Sequence, residues 1–129
     1  MTERQRIFSG SEFEGRYGYA RAVVAGDRVV ISGTAPIWPD GSCDPDPGAQ
    51  ARRCLDIIEA ALAEAGSTMT DVVRTRMFVT DASYRDAVGA EHARCFAEHP
   101  PATSMIVVAG LLDERWKVEI EAEAAKTST

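Results

Sequence analysis

Two runs of strict alternation, VVRTRMFVT at residues 72–80 and WKVEIEAEA at 116–124, constrain the fold most. A period of two sends alternate side chains to opposite faces, so each run reads as a strand with one apolar face. Arg74, Arg76 and Phe78 then share one side of the first run, and Lys117, Glu119, Glu121 and Glu123 one side of the second. Opposite charges are placed to pair across strands, either on a solvated sheet face or in a subunit interface where half-buried charges set register. The longer stretch PPATSMIVVAGLLDERWKVEIEAEA reads as strand, turn, strand. That reading sets Thr103 at the mouth of one apolar strand and Glu119 on the next, with both polar groups lining one cleft.

Helical signals fall between the strands. Asp46-Pro47 reads as a helix cap followed by a proline in the first turn, and Leu55, Ile58 and Leu62 mark an apolar stripe that ends at Gly66. Ser83 and Asp86 read as a capping box opening a second helix, which carries Tyr84, Ala87, Val88, Cys95 and Phe96 and stops at His99-Pro100-Pro101. Upstream, YGYARAVVAGDRVVISG reads as a hairpin turning at Gly26-Asp27, and TAPIWPDGSCDPDPG as a long loop. The predicted order is β-β-α-β-α-β-β, a sheet backed by two helices on one face, with the other face in need of a partner.

Length and charge narrow the function classes. A chain of 129 residues fits one domain, 1–129, that buries a core without metal or disulfide support. A net charge of -6 sets it against phosphate backbones, so no nucleic-acid partner is expected. No signal-like or membrane-length apolar run occurs, which leads to the expectation of a cytoplasmic protein with no membrane partner. Cys43, Cys54 and Cys95 are odd in number and irregularly spaced, unlike a disulfide framework or a zinc cluster; Cys54 and Cys95 read as helix packing. His92 and His99 fit no metal set and no Ser/His/Asp signature.

Taken together, YARAVVAGDRVVISGT, the VVRTRMFVTD strand and PPATSMIVVAGLLDERWKVEIEAEA resemble the RidA (YjgF/YER057c/UK114) family over nearly the whole chain. The resemblance implies a chorismate-mutase-like α/β (α+β) fold and a homotrimer whose sheets face inward, with small-molecule clefts between subunits. In deaminating members water attacks the C=N carbon of a reactive imine, releasing ammonia, with no metal or organic cofactor.

Carried over residue by residue, the resemblance assigns Glu119 to water positioning. Tyr19, Gly33 and Thr34 fall at substrate-binding positions, the last two through backbone amides. Thr103 stands where deaminating members have an arginine that clamps the substrate carboxylate, followed by Ser104 and by Met105 in place of a cysteine. A threonine hydroxyl offers one neutral donor instead of a bidentate, charge-assisted contact. Losing such a partner costs on the order of 2 to 5 kcal/mol, so the usual 2-imino acids are poor candidate substrates. Arg16, Arg21, Arg74 and Arg76 are the available replacements, and Trp38 in the long loop is a candidate lid. The expectation is a hydrolase or deaminase acting on an imine, enamine or related metabolite lacking that carboxylate. The alternative is a non-catalytic trimeric module that binds a metabolite or partner in the same cleft.

Overall fold

A computed structural model of the chain describes residues 4–127. Six strands form one sheet: β1 (Gln5–Ile7), β2 (Ala22–Ala25), β3 (Arg28–Thr34), β4 (Val72–Val79), β5 (Ala102–Val107) and β6 (Val118–Ala125). Their spatial order is β1-β2-β3-β6-β4-β5, with β4 and β5 parallel and the other neighbours antiparallel. Three helices accompany them: α1 (Glu12–Tyr17), α2 (Pro47–Glu64) and α3 (Arg85–Phe96). From β2 onward the order matches the one predicted. The short β1 and α1 have no counterpart in the predicted order, because three residues and six residues are too short for a periodic pattern to register.

Local chemistry fixes the element ends. Ala25 pairs with Arg28 around a two-residue turn in which Gly26 takes φ 64°, a left-handed conformation that costs a glycine little. The Asp46 carboxylate accepts from the Ala49 amide at 2.8 Å and opens α2. At the other end Ser67 N–H donates to Leu62 O at 2.8 Å and Gly66 N–H to Ala63 O at 3.1 Å, a Schellman closure with Gly66 at φ 79°. The Ser83–Asp86 capping box does not form. Asp81 accepts from Ser83 N–H instead, capping one 3₁₀ turn over Ala82–Tyr84 that leads into α3.

α2 and α3 cover one sheet face. Leu55, Ile58 and Leu62 of α2 and Val88 and Phe96 of α3 pack with Val29, Ile31, Met77, Val79, Val118, Ile120, Ala122 and Ala124, all buried. Each large apolar side chain so buried contributes roughly 1.5–3 kcal/mol, against about 1 kcal/mol for a helix cap, so packing rather than capping seats the helices. Cys54 is buried in this core and Cys95 packs at its margin. No helix among the described residues is long and apolar enough to cross a membrane.

The C-terminal stretch departs from the strand-turn-strand picture. β5 runs parallel to β4 at the sheet edge, while β6 inserts between β3 and β4, so β5 and β6 are not neighbours. Lys117 also leaves the predicted row. It lies just before β6, donates through Nζ to Pro45 O at 2.7 Å and sits 5.5 Å from the centre of the Tyr84 ring.

Candidate functional site

The sheet face away from the helices carries Arg21, Arg28, Arg74 and Arg76 against Glu119, Glu121 and Glu123. Two of the glutamates are engaged: Arg76 reaches Glu121 at 3.1 Å and Arg28 reaches Glu123 at 2.7 Å. Glu119 makes no ion pair among the described residues, although it lies on the same strand and face.

A β-bulge shapes the space around Glu119. Ile31 pairs with Ala122 and Thr34 with Ile120, so Ser32 and Gly33 together stand opposite Glu121. The absence of a side chain at Gly33 makes room for the Glu119 carboxylate: a Cβ there would lie 2.6 Å from Oε2. Arg21, on the approach to β2, donates from Nη2 to Gly33 O at 2.7 Å, while its Nε is closed off from solvent with no acceptor. Ser32 fastens this corner by donating its N–H to Arg21 O at 3.1 Å and its hydroxyl to Ala20 O at 2.6 Å.

Electrostatics couple the two charged groups. Burial pushes the Glu119 carboxyl above the usual carboxylate range, the nearby Arg21 guanidinium pulls it back down, and Glu121 adds to the rise. Burial likewise lowers the Arg21 pKa, opposed by Tyr19, Glu14 and Glu119 in that order. Glu14 is buried on α1, where it accepts from the Ser9 amide and hydroxyl. Nothing in the sequence pattern marks Glu14, because α1 is a single short turn around it.

Glu119, Gly33 and Arg21 therefore meet on one face, and Tyr19, exposed just before β2, lies near Arg21. Thr34 is on the bulge, but its side chain is fully buried and its hydroxyl donates to Ser32 O at 2.8 Å. Ser104 lies on the open face, where Arg74 Nη2 donates to its hydroxyl at 3.2 Å.

Within the chain Thr103 and Met105 are not at this corner. Thr103 pairs with Thr75 and Met105 with Met77, both on the helix side, whereas Glu119 pairs with Phe78 on the other side, with β4 in between. The Thr103–Glu119 cleft expected from strand, turn, strand does not form within the chain, for two reasons: sheet order separates their strands, and strand parity sends their side chains to opposite faces. The Thr103 hydroxyl meets Thr75 Oγ1 at 2.8 Å, and that oxygen also meets His92 Nε2 at 2.8 Å. Burial lowers the His92 pKa, which favours a neutral imidazole.

Of the other residues singled out in the sequence, Arg16 lies over the Phe13 and Tyr17 rings of α1, at 5.7 and 5.9 Å from their centres. Trp38 lies beside Arg52, Arg53 and Asp56 of α2, and Arg53 donates to Ile37 O at 2.6 Å, so the long loop rests on the helix layer. No His, Cys, Asp or Glu cluster suited to a metal ion occurs among the described residues.

Comparison with known proteins follows the same outline. The endoribonuclease L-PSP family model matches residues 10–126. A protein of Escherichia coli named 2-iminobutanoate/2-iminopropanoate deaminase is 37% identical over 112 residues, 84% of this chain and 87% of that protein. An uncharacterised protein of Streptomyces coelicolor is 38% identical over 121 residues, 93% of this chain and 90% of its own length. The crystal structure of a YjgF/YER057c/UK114 family member from Mycobacterium tuberculosis superposes with a TM-score of 0.88 at 46% identity, covering 95% of this chain and 99% of that one. The chain belongs to the endoribonuclease L-PSP family, the RidA or YjgF/YER057c/UK114 proteins.

Proposed function

We propose that the protein hydrolyses a small reactive imine or enamine in a cleft of a homotrimer, with Glu119 positioning and deprotonating the attacking water. The observation that carries this reading is that Glu119 alone of the three alternating glutamates has no ion-pair partner among the described residues, and is half-buried at a bulge cleared by Gly33. A carboxylate held in that setting is a general base rather than a solubilising charge. Water adds to the C=N carbon as its proton passes to Glu119, and the proton returns to nitrogen. Glu119 then takes the hydroxyl proton and passes it to the amine, the C–N bond breaks as the C=O bond forms, and ammonia leaves, so the imine and one water become a carbonyl compound and ammonia, with no change of oxidation state.

Substrate choice is expected to differ from that of the E. coli relative. Thr103 supplies no guanidinium, and its hydroxyl is bonded to Thr75. Tyr19 and the Gly33–Thr34 backbone remain as neutral contacts, with Ser104 beside them if the neighbouring subunit closes the cleft. An RNA substrate is disfavoured by the net charge of -6, despite the family's name.

The test is ammonia release from carboxylate-bearing imines and from uncharged analogues by wild type, Glu119→Ala and Thr103→Arg. Turnover of an uncharged imine that Glu119→Ala abolishes, with assembly intact, supports hydrolysis. Ligand binding without ammonia release from any imine would establish the binding-module alternative instead. A gain by Thr103→Arg on carboxylate-bearing imines would place position 103 in the assembled cleft.

A further inference from the structure

Resting on the hydrolytic reading, we propose that Arg21 is a positioning residue for Glu119, and that the two opposite charges flanking Gly33 balance the site so that it accepts an uncharged imine or enamine. Arginines recur on the open face, and three of those nearest the glutamates are engaged elsewhere: Arg28 with Glu123, Arg76 with Glu121, and Arg74 with the Ser104 hydroxyl. Arg21 is the one built into the Glu119 corner. Its Nη2 holds the Gly33 carbonyl at 2.7 Å, and the same glycine is the residue whose missing side chain admits the Glu119 carboxylate.

The arrangement restrains both charges. The Arg21 backbone is pinned by Ser32, whose N–H donates to Arg21 O at 3.1 Å. The Arg21 guanidinium is held by the Nη2 bond to Gly33 O at 2.7 Å, and the closed-off Nε is left with a donor to spare. Because no direct ion pair joins Arg21 and Glu119 among the described residues, the carboxylate oxygens stay free for a water while the cation favours their ionised form. A substrate carboxylate entering here would meet the like charge of Glu119, and the Nη2 of Arg21 is already committed to Gly33 O. An uncharged C=N group meets neither obstacle.

The groups facing this pair are few. Arg21 meets Tyr19 and, from α1, Glu14; Glu119 has Glu121 on its own strand, Phe78 opposite on β4 and Gly33 on β3. The Cys54 thiol of α2 lies beneath in the core, where burial pushes it up and keeps it protonated. Arg21 is thus the cation that opposes the effect of burial on Glu119.

The test uses the assembled protein with carbon-13 labelled glutamate, following the Glu119 carboxyl titration by NMR in wild type, Arg21→Met and Arg21→Lys. The expected result is a shift to higher pH in Arg21→Met and a near-normal titration in Arg21→Lys. Turnover of an uncharged imine at pH 7 should fall on the order of tenfold in Arg21→Met and recover as pH rises, because only the ionised fraction is lost. An unchanged Glu119 titration in Arg21→Met would overturn the proposal. So would a wild-type preference for carboxylate-bearing imines that disappears in Arg21→Met, since Arg21 would then be a direct anchor. If wild type releases ammonia from no imine, the hydrolytic reading fails, and the titration by itself decides whether Arg21 holds Glu119.

Discussion

Oε2 of Glu119 lies where a side chain at Gly33 would begin: a Cβ at position 33 would sit 2.6 Å from it. The backbone of Gly33 is not left-handed, so the glycine is required here for space and not for conformation. Gly33→Ala should therefore leave the fold intact, since the obstructed atom is the far end of a flexible side chain. It should also displace the carboxylate from its place beside Arg21. A misplacement of about 1 Å costs on the order of 10²-fold in rate, so turnover should drop by about that factor while the melting temperature stays close to wild type.

Removing the Glu119 charge should separate activity from stability. The folded pKa of Glu119 lies above its unfolded value, chiefly through burial. A group shifted in that direction favours the folded state most below the unfolded pKa, and that contribution is lost as pH rises through the folded pKa. At neutral pH the ionised carboxylate therefore weighs against folding. Glu119→Gln should raise the thermal midpoint at pH 7 and leave it little changed below the carboxylate range. The same variant should lose on the order of 10²- to 10⁴-fold in ammonia release.

On the helix side, Thr75 is fully buried, with its hydroxyl between His92 Nε2 and Thr103 Oγ1, each at 2.8 Å. Thr75→Val keeps the shape but removes the shorter of the two hydroxyl contacts to the half-buried imidazole, leaving Thr103 Oγ1 at 3.5 Å, which should cost about 1 kcal/mol by denaturant titration. The His92 pKa is lowered by burial, so its contribution to stability is present above the unfolded pKa and is lost as pH falls through the folded one. Acidification through that window should destabilise wild type more than His92→Gln.

The sequence carried the parts of this fold that repeat. Alternation in VEIEAEA foretold one buried and one open face of β6, and the observed faces follow it residue by residue. Asp46, Pro47 and Gly66 marked both ends of α2 because caps are written in single residue types at fixed offsets. Neighbour relations were not legible. The insertion of β6 between β3 and β4 follows from long-range pairing, which no local pattern encodes, and it separates Thr103 from Glu119. The bulge at Ser32–Gly33 was equally silent, since one extra residue in a strand leaves alternation on either side intact. Arg21 was visible only as one of several arginines. Its place beside Glu119 required both the bulge and the strand order.

The Arg76–Glu121 pair can report whether the open face is covered in solution. The two side chains meet at 3.1 Å with 38% and 33% of their surfaces exposed in the single chain. On a solvated face such a pair contributes about 0–1 kcal/mol, so Arg76→Glu would barely move the melting temperature. Buried in the proposed homotrimer, the same change would set two carboxylates together away from water, where breaking a pair costs about 3–5 kcal/mol. Sedimentation equilibrium of wild type should give three times the chain mass of 13.9 kDa, and Arg76→Glu should shift it toward the single chain. The exchange Arg76→Glu with Glu121→Arg restores a pair within the subunit and should recover assembly in part. A wild type that sediments as a single chain, or an Arg76→Glu variant that assembles as well as wild type, would show that this face is not held between subunits.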